Sequence, residues 1–401
     1  MSITVNILGE DVQLSGNPVE IECSGGSAPA GSRNYQIVLK IISQDGKLEK
    51  FPKVDAITPD SAGKALFDIS GYVDQPVNLQ FQFPLSGAVK SYSTQAFNVQ
   101  VQPGETWMDE DGITQEQWGS VSDVFQILKG GLSQMQLNMM RDAGTNFYQF
   151  YLANGKWLTA RPWGDFVHPT QPVKLWFMPI AGASATLNSK AVYQDNSEDT
   201  YTAAVTLSAD NLYEFNVNPL LLGKPDVNTN GSPINFFDVW LSAGGTDISD
   251  RRRFTVDWKY NERPNFLFFA NSLGGIDDVY LSGFIQDRFN VEGSTAFKRA
   301  TRTDTANDPT IIVTNKQGKN HWTVNTGYKS LPTMQYLRDL LVSKQAWYVY
   351  SNAVGGNHRI VPVVVENADL VLADRKEDLY AMEIAFSEAH TSKFTFDNRS
   401  Y

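Results

Sequence analysis

Short runs in which apolar and polar residues alternate dominate the first hundred residues. Val19–Cys23, Ala65–Ser70 and Phe97–Val101 each place an apolar side chain at every second position. A period of two is typical of a strand with one buried face. Glycine, proline, serine and aspartate separate the runs, and strands at this spacing are typical of a β-sandwich. The pattern therefore predicts a β-sandwich over residues 1–101.

The pattern changes in residues 102–156. Pro103–Gly104 interrupts the alternation, and Ser133 is a suitable N-cap for a helix that carries Met135–Met140. Phe147–Leu152 is long enough for a second short helix. Methionine and aromatic residues at such spacing are usually helix core. We predict a short helical connector over residues 102–156.

Alternation returns in residues 157–260, and this segment is predicted to form a second β-sandwich. Tyr213–Asn218 matches Ala65–Ser70, and Phe254–Trp258 resembles Phe97–Val101 in pattern and order. The matches favour two tandem, Ig-like sandwiches of one type, although alternating strands of unrelated origin also resemble one another. The first match aligns Phe67 with Phe215 and Ile69 with Val217.

Residues 261–401 begin with a predicted hairpin over Asn265–Gly283. The run Phe266–Phe269 has the length of a buried strand, and Gly274–Gly275 supplies the conformations of a tight turn. Further on, Ser330 and Pro332 predict the start of a helix that directs Leu337 and Leu341 towards this sheet. Strands follow the helix, so we expect a C-terminal α+β module and a mainly β chain.

Composition limits the function classes. The 401 residues include 44 acidic and 33 basic side chains, a formal net charge of −11, with Arg251–Arg253 as the only basic run. This balance argues against nucleic acid as the main partner. Cys23 is the only cysteine, which excludes an intrachain disulfide and a cysteine-based zinc cluster. We expect neither a signal peptide nor membrane insertion.

Candidate chemistry is sparse. The chain has no His-Glu-x-x-His, no Gly-x-Ser-x-Gly and no Gly-Lys-Ser/Thr motif. Asp226–Ser232 has the first half of a calcium loop, but Phe237 stands where a bidentate glutamate is required. A polar loop between strands is the favoured interpretation, and ion binding there stays open. We therefore predict no catalytic residue, no metal site and no cofactor.

Seven short islands of the sequence form a distinctive set. They are Leu14–Val19, Lys129–Ser133, Trp157–Thr159, Phe266–Asp277, Asn325–Tyr328, Leu337–Ser343 and Ile360–Val363. In this order they resemble a known family of tail-associated structural proteins from phages and prophages of Bacteroides-type hosts. The resemblance implies a virion component of the tail tip or baseplate that is assembled in the bacterial cytoplasm with other tail proteins. It implies no enzymatic activity.

The connector is the candidate contact between copies in a closed homo-oligomeric ring, because its aromatic residues exceed what a short helical insert can bury. The same residues could instead join the two sandwiches within one chain. A second function class is carbohydrate binding, in which Trp157 and Trp163 would stack on a host-surface glycan; a glycosidase would need two suitably placed carboxylates. The six candidate interface residues are Trp107, Trp118, Phe147, Tyr148, Phe150 and Tyr151.

Overall fold

The computed structural model describes residues 3–9, 11–26, 28–43, 54–74, 79, 88–92, 96–209, 211–259, 264–297, 311–327, 329–351, 358–366 and 381–390. The fold is mainly β, with 52% strand and 10% helix arranged in several sheets. Tyr328, the last residue of one island, and parts of the predicted C-terminal module lie outside the described residues.

The elements are numbered in chain order. The strands are β1 (Thr4–Leu8), β2 (Val12–Leu14), β3 (Glu20–Ser24), β4 (Arg33–Ser43), β5 (Val54–Ile57), β6 (Lys64–Asp68), β7 (Val89–Tyr92), β8 (Phe97–Met108), β9 (Thr114–Trp118), β10 (Phe125–Leu128), β11 (Asp165–Val167), β12 (Lys174–Phe177), β13 (Ala183–Tyr193), β14 (Glu198–Leu207), β15 (Leu212–Asn216), β16 (Ile234–Ala243), β17 (Thr246–Asp247), β18 (Arg252–Val256), β19 (Asn265–Ala270), β20 (Ile276–Leu281), β21 (Ile285–Phe297), β22 (Ile311–Asn325), β23 (Ala346–Ser351), β24 (His358–Val365) and β25 (Glu383–Glu388). The helices are α1 (Ser70–Val73), α2 (Gln134–Asp142), α3 (Leu331–Tyr336) and α4 (Arg338–Val342), with one π-helical turn at Tyr148–Leu152.

Contacts divide the chain into two compact units. The first comprises residues 1–256 and 270–277, and the second comprises residues 257–269 and 278–401. The first unit therefore contains the first predicted sandwich, the connector and residues 157–256 of the second predicted sandwich.

One apolar core of the first unit lies between two sheets. Their strand orders are β1-β3-β6 and β2-β10-β8-β4-β5, with β9 paired to β8. The alternation along β3 and β6 buries Ile21, Cys23, Ala65 and Phe67, and β8 adds Phe97. Alternate positions of these strands point away from the core, as expected for strands with one buried face.

A second core lies between the sheets β12-β15-β7 and β11-β18-β16-β13-β14, with β17 paired to β16. Trp157, Leu175, Phe215, Phe237 and Phe254 fill its centre. Strand β7, from the segment predicted to form the first sandwich, pairs antiparallel with β15 and completes this second set of sheets. The predicted boundary at residues 101–102 falls inside β8.

The larger sheets of the two sets have the same strand order, and the antiparallel pair β3-β6 of one smaller sheet corresponds to β12-β15 of the other. The third strands of the smaller sheets differ, because β1 flanks β3 whereas β7 flanks β15. In each larger sheet the strand that comes first in the chain pairs parallel with the strand that comes last, namely β2 with β10 and β11 with β18. The remaining neighbours are antiparallel, so β2-β10-β8-β4-β5 corresponds to β11-β18-β16-β13-β14. Strand β6 corresponds to β15, as the alignment of Phe67 with Phe215 requires. The second alignment was wrong: Phe254 lies in β18, the counterpart of β10, whereas Phe97 lies in β8, the counterpart of β16. Alternating strands are too alike for the pattern alone to distinguish them.

The prediction of a helical connector was wrong for its first half. Residues 102–108 continue β8, and β9 and β10 follow before α2 begins. Pro103 does not end β8, because it lies opposite Leu39 in the ladder and its carbonyl accepts the Gly119 N–H at 2.8 Å. Helix is confined to α2 and the π-helical turn. Proline has no backbone N–H, so it can stay in an extended strand at a position where the ladder requires no N–H donor.

The sheet of the second unit has the order β20-β19-β23-β24-β25-β22-β21. Helices α3 and α4 supply Met334, Tyr336, Leu337 and Leu340 to its core. Leu337 is buried as predicted, but Leu341 is only partly buried, because the helix breaks at Leu337 and α4 restarts with Leu340 inward.

Candidate assembly surfaces

The connector residues lie on two separate elements. Trp118 in β9 pairs with Gly104 in β8, and Trp107 pairs with Gln115. The Trp118 ring covers Gly104 so closely that an added Cβ would lie 2.6 Å from its Cε3 atom. Both tryptophans are half-buried. They belong to the β8–β9 hairpin.

The other four connector aromatics gather around the π-helical turn. Phe147 is buried, and its ring centroid lies 5.6 Å from that of Tyr151. Phe150 meets Tyr151 edge to face at 5.1 Å, and the Lys156 Nζ atom lies 3.4 Å from the Phe150 ring centroid. Tyr148 is half-buried beside them. Much of this aromatic area is therefore used within the chain, and the half-exposed Phe150 is its outermost member.

Helix α2 exposes an apolar stripe. Ser133 and Gln136 form a capping box at its start, in which the Gln136 N–H donates to Ser133 Oγ (3.3 Å) and the Ser133 N–H donates to Gln136 Oε1 (2.9 Å). Every residue of α2 is exposed or half-buried, and Met135 and Met139 are 73% and 61% exposed. The prediction that these methionines form helix core was wrong.

The turn of the predicted hairpin, the Gly-Gly loop (Ala270–Asp277), belongs to the first unit. Asn271 organises it. Its Oδ1 atom accepts the N–H groups of Leu273 (3.0 Å) and Gly275 (2.9 Å), while its Nδ2 atom donates to the Leu158 carbonyl at 2.8 Å. Such a side chain replaces the backbone hydrogen bonds that a tight turn lacks.

Buried polar groups continue from this loop. Asp277 accepts hydrogen bonds from Asn271 Nδ2 at 2.9 Å and from Thr159 Oγ1 at 2.8 Å. The Trp176 indole N–H donates to the Ile276 carbonyl at 2.8 Å. All these donors and acceptors come from one compact unit, and a satisfied buried network of this kind fixes geometry.

The two glycines of the loop have different roles. Gly274 has a φ of +95°, which favours glycine. Gly275 is required for close approach: a Cβ there would lie 2.9 Å from both the Leu158 carbonyl oxygen and Trp176 Cγ. The sequence prediction of positive φ therefore holds for Gly274, whereas packing explains Gly275.

A buried ion pair lies in the sheet β12-β15-β7. Lys174 and Glu214 are 1% and 0% exposed, and the Lys174 Nζ atom contacts Glu214 Oε1. The Tyr92 hydroxyl donates to Glu214 Oε2 at 2.5 Å. Burial is the largest cause that raises the pKa of Tyr92 well above its usual range, and the negative charge of Glu214 raises it further. The phenol therefore keeps its proton. The three side chains link three strands.

Strands β21 and β22 form a long arm, Ile285–Phe297 and Ile311–Asn325, in the second unit. Each residue from 286 to 297 is exposed. The odd-numbered positions carry Phe289, Val291 and Phe297, which are 55%, 52% and 84% exposed. Even positions are mainly polar. Strand-like patterns at Thr310–Val313 and His321–Asn325 indicated parts of β22, but β21 was not predicted, although its period-two alternation was a visible signal.

The apolar side of the arm is partly self-covered. Register places Val291 opposite Gly318 and Phe297 opposite Ile311. The Phe289 ring lies over Gly318, so closely that a Cβ added there would overlap the ring. An aromatic ring over a strand glycine supports the pairing, but Phe297 and Ile311 stay largely in solvent.

The outer face of the sheet that contains β16 and β18 carries exposed aromatic rings. Trp163 and Phe166 are 64% and 56% exposed. The Arg253 guanidinium lies 4.8 Å from the Trp163 ring centroid and 3.8 Å from that of Phe236. In contrast, Trp157 is fully buried and cannot stack on a ligand. That half of the sugar-stacking hypothesis was wrong.

The basic run Arg251–Arg253 is paired with carboxylates. Arg251 contacts Asp247 at 2.8 Å, Arg252 contacts Asp250 at 2.9 Å, and Arg253 makes two 2.7 Å hydrogen bonds to Asp238. The carboxylates neutralise the positive charge of the three arginines, and binding to the phosphate backbone of a nucleic acid would require that charge.

The Asp226–Ser232 segment is a closed loop between strands. Asn228 Oδ1 accepts the N–H groups of Asn230 (3.0 Å) and Ser232 (2.9 Å), and Asn228 Nδ2 donates to Asp195 Oδ2 at 2.6 Å. Hydrogen bonds from Ser197 and Asn228 hold the pKa of Asp195 below its usual range. The Asn228 oxygen that a calcium ion would require is thus engaged within the loop, and the described ranges hold no cluster of three or more His, Cys, Asp or Glu suited to a metal ion.

Within the residues that the structure describes, none of the helices has the length and apolar character needed to cross a membrane.

Comparison of the chain with models of known protein families and with curated proteins gives no match.

Proposed function

We propose that this protein is a non-enzymatic structural component of a bacteriophage virion, at the tail tip or baseplate, that works through protein–protein assembly. The sequence islands that resemble tail-associated proteins of Bacteroides-type phages support the tail location. The partners would be other tail proteins and copies of this chain, with the connector aromatics as one candidate contact in a ring.

The exposed arm is the observation that carries the proposal of an assembly protein. A two-stranded hairpin is marginally stable at best in water. This arm nevertheless extends through Phe297, with apolar side chains in solvent on one face. Contiguous exposed apolar surface marks interaction sites. An arm of this kind is stabilised when a partner covers its apolar face.

We further infer that the repeated strand order reflects two tandem Ig-like β-sandwiches, followed by an α+β module. Two sheets enclose each core, and most neighbours are antiparallel. Repeated sandwiches ahead of an assembly module suit a virion spacer, because they add length and surface without requiring catalysis.

Imaging of intact virions tests the tail location. Antibody raised against this protein should label one end of the tail in class averages, and the protein should be found by mass spectrometry of purified particles. Labelling of the capsid alone, or absence from purified particles, would refute the proposal. Serum from the same animal before immunisation is the control.

A second candidate is glycan binding by the outer face that carries Trp163 and Phe166. The exposed rings and the adjoining Arg253–Asp238 pair combine stacking with hydrogen-bonding groups. A glycan array compares wild type with Trp163→Ala. Binding that depends on Trp163 supports this function, and an array without signal for the wild type contradicts it. Trp118→Ala, in the β8–β9 hairpin, is the matched tryptophan control.

A further inference from the structure

Strand β21 lies at the edge of its sheet. In the strand order of its sheet, β21 is the terminal member, and no strand of the described residues pairs with its outer side. The edge is 13 residues long and exposed from residue 286 onward. The outward N–H and C=O groups of a long exposed edge strand can pair with a strand of another chain.

The order of side chains along β21 is self-complementary. An antiparallel pair of two β21 strands centred on Asn290 places Arg288 of each copy opposite Glu292 of the other. The same register places Phe289 opposite Val291. The two-fold axis passes through Asn290, so both contacts occur twice. Opposite charges and apolar pairs directly across a ladder stabilise it.

Neighbouring registers lose this match. Centring the pair on Phe289 places Arg288 opposite Asn290, and centring it on Val291 places Arg288 opposite Ser294. A centre between two residues would place the polar side of one strand beside the apolar side of the other. Only the Asn290 register keeps the two faces matched and also pairs the charges.

We propose that two copies of this protein associate through antiparallel pairing of their β21 edges, with Asn290 on the two-fold axis. The contact spans residues 285–295 of each copy, a strand length of about 36 Å. The arms then form a four-stranded sheet whose apolar side is continuous between copies. The inference goes beyond the virion role and does not require it.

Charge reversal tests the register on the full-length protein. Sedimentation velocity of the wild type at micromolar concentrations should show dimer. Arg288→Glu places Glu opposite Glu twice, and Glu292→Arg places Arg opposite Arg twice. Each variant should raise the dimer Kd by about 30-fold. The double variant Arg288→Glu/Glu292→Arg should dimerise like wild type.

Mixing the two single variants gives the sharpest result. A heterodimer of Arg288→Glu with Glu292→Arg restores both charge pairs, so the mixture should dimerise with the wild-type Kd, whereas each component alone dimerises about 30-fold more weakly. Glu116→Arg, an exposed reversal in β9, is the matched control and should leave the Kd unchanged. Circular dichroism checks that every variant keeps its strand content.

Three results would overturn the proposal. They are a wild type that stays monomeric at micromolar concentration, a dimer whose Kd is unmoved by both single reversals, and a mixture that does not associate. Virion labelling is a separate experiment, so failure of either idea can be recognised without the other.

Discussion

Replacement of Lys174 by methionine would leave the Glu214 carboxylate buried without its cation. Methionine has nearly the length of the lysine stem, so the buried space stays filled and the change is mainly one of charge. Breaking a buried ion pair by removing one partner costs about 3–5 kcal/mol. The Tyr92 hydroxyl still donates to Glu214, which places the expected cost towards the lower end.

Removing the Lys174 cation from this buried pair should therefore cost Lys174→Met about 3–4 kcal/mol in the free energy of unfolding.

Native-state hydrogen exchange is the suitable assay, because a chain with two compact units need not unfold in one step. Peptides that cover β7, β12 and β15 should exchange faster in Lys174→Met, and peptides from β23 in the second unit serve as the internal control. Lys174→Met/Glu214→Gln removes both charges and should recover to within about 1 kcal/mol of wild type. Unchanged exchange in the single variant, or an equal loss in the double variant, would refute a charge-based explanation.

Four further results are expected. Gly275→Ala should destabilise the Gly-Gly loop by about 1–3 kcal/mol through overpacking, seen as faster exchange there. Gly71→Ala is the matched control, because φ at Gly71 is not positive and an added Cβ meets nothing within 4 Å. Leu340→Ala should cost about 2–5 kcal/mol and the partly buried Leu341→Ala distinctly less; equal losses in denaturant melts would contradict the observed helix break. Phe150→Ser should keep the fold and weaken the contact between copies in a ring, which lowers the mass of the assembly. An assembly mass equal to that of wild type would exclude Phe150 as part of the interface. Burial raises the pKa of the Cys23 thiol to about 12, so maleimide at pH 8 should label it only after denaturation.

Alternation along single strands was informative because one buried face imposes a period of two. It located β3, β6 and β15, and it aligned Phe67 with the strand that has the same place in the second set of sheets. It failed where burial is set by distant partners. Lys174 and Glu214 would be expected at the surface, yet each neutralises the other, and their pairing depends on residues 40 positions apart.

The candidate surfaces were harder to predict for the same reason. Phe147 and Trp163 are both aromatic residues near turns, but one is buried and the other is 64% exposed. Met135 has the spacing of a core residue and lies in solvent. Composition and periodicity report that a residue can be buried, whereas the element that would cover it is chosen by tertiary contacts.

Strand β7 has a consequence for the order of events during synthesis. Its partner β15 follows about 120 residues later in the chain, which at 5–20 residues per second is a delay of about 6–24 s on the ribosome. Until then Val89–Tyr92 has no ladder to join, and Tyr92 has no Glu214 to receive its hydrogen bond. The second set of sheets is therefore complete only when β15 has been synthesised and pairs with β7 from the N-terminal hundred residues. A fragment that begins at residue 157 would lack that strand, so the two repeats mature as one co-translational folding unit.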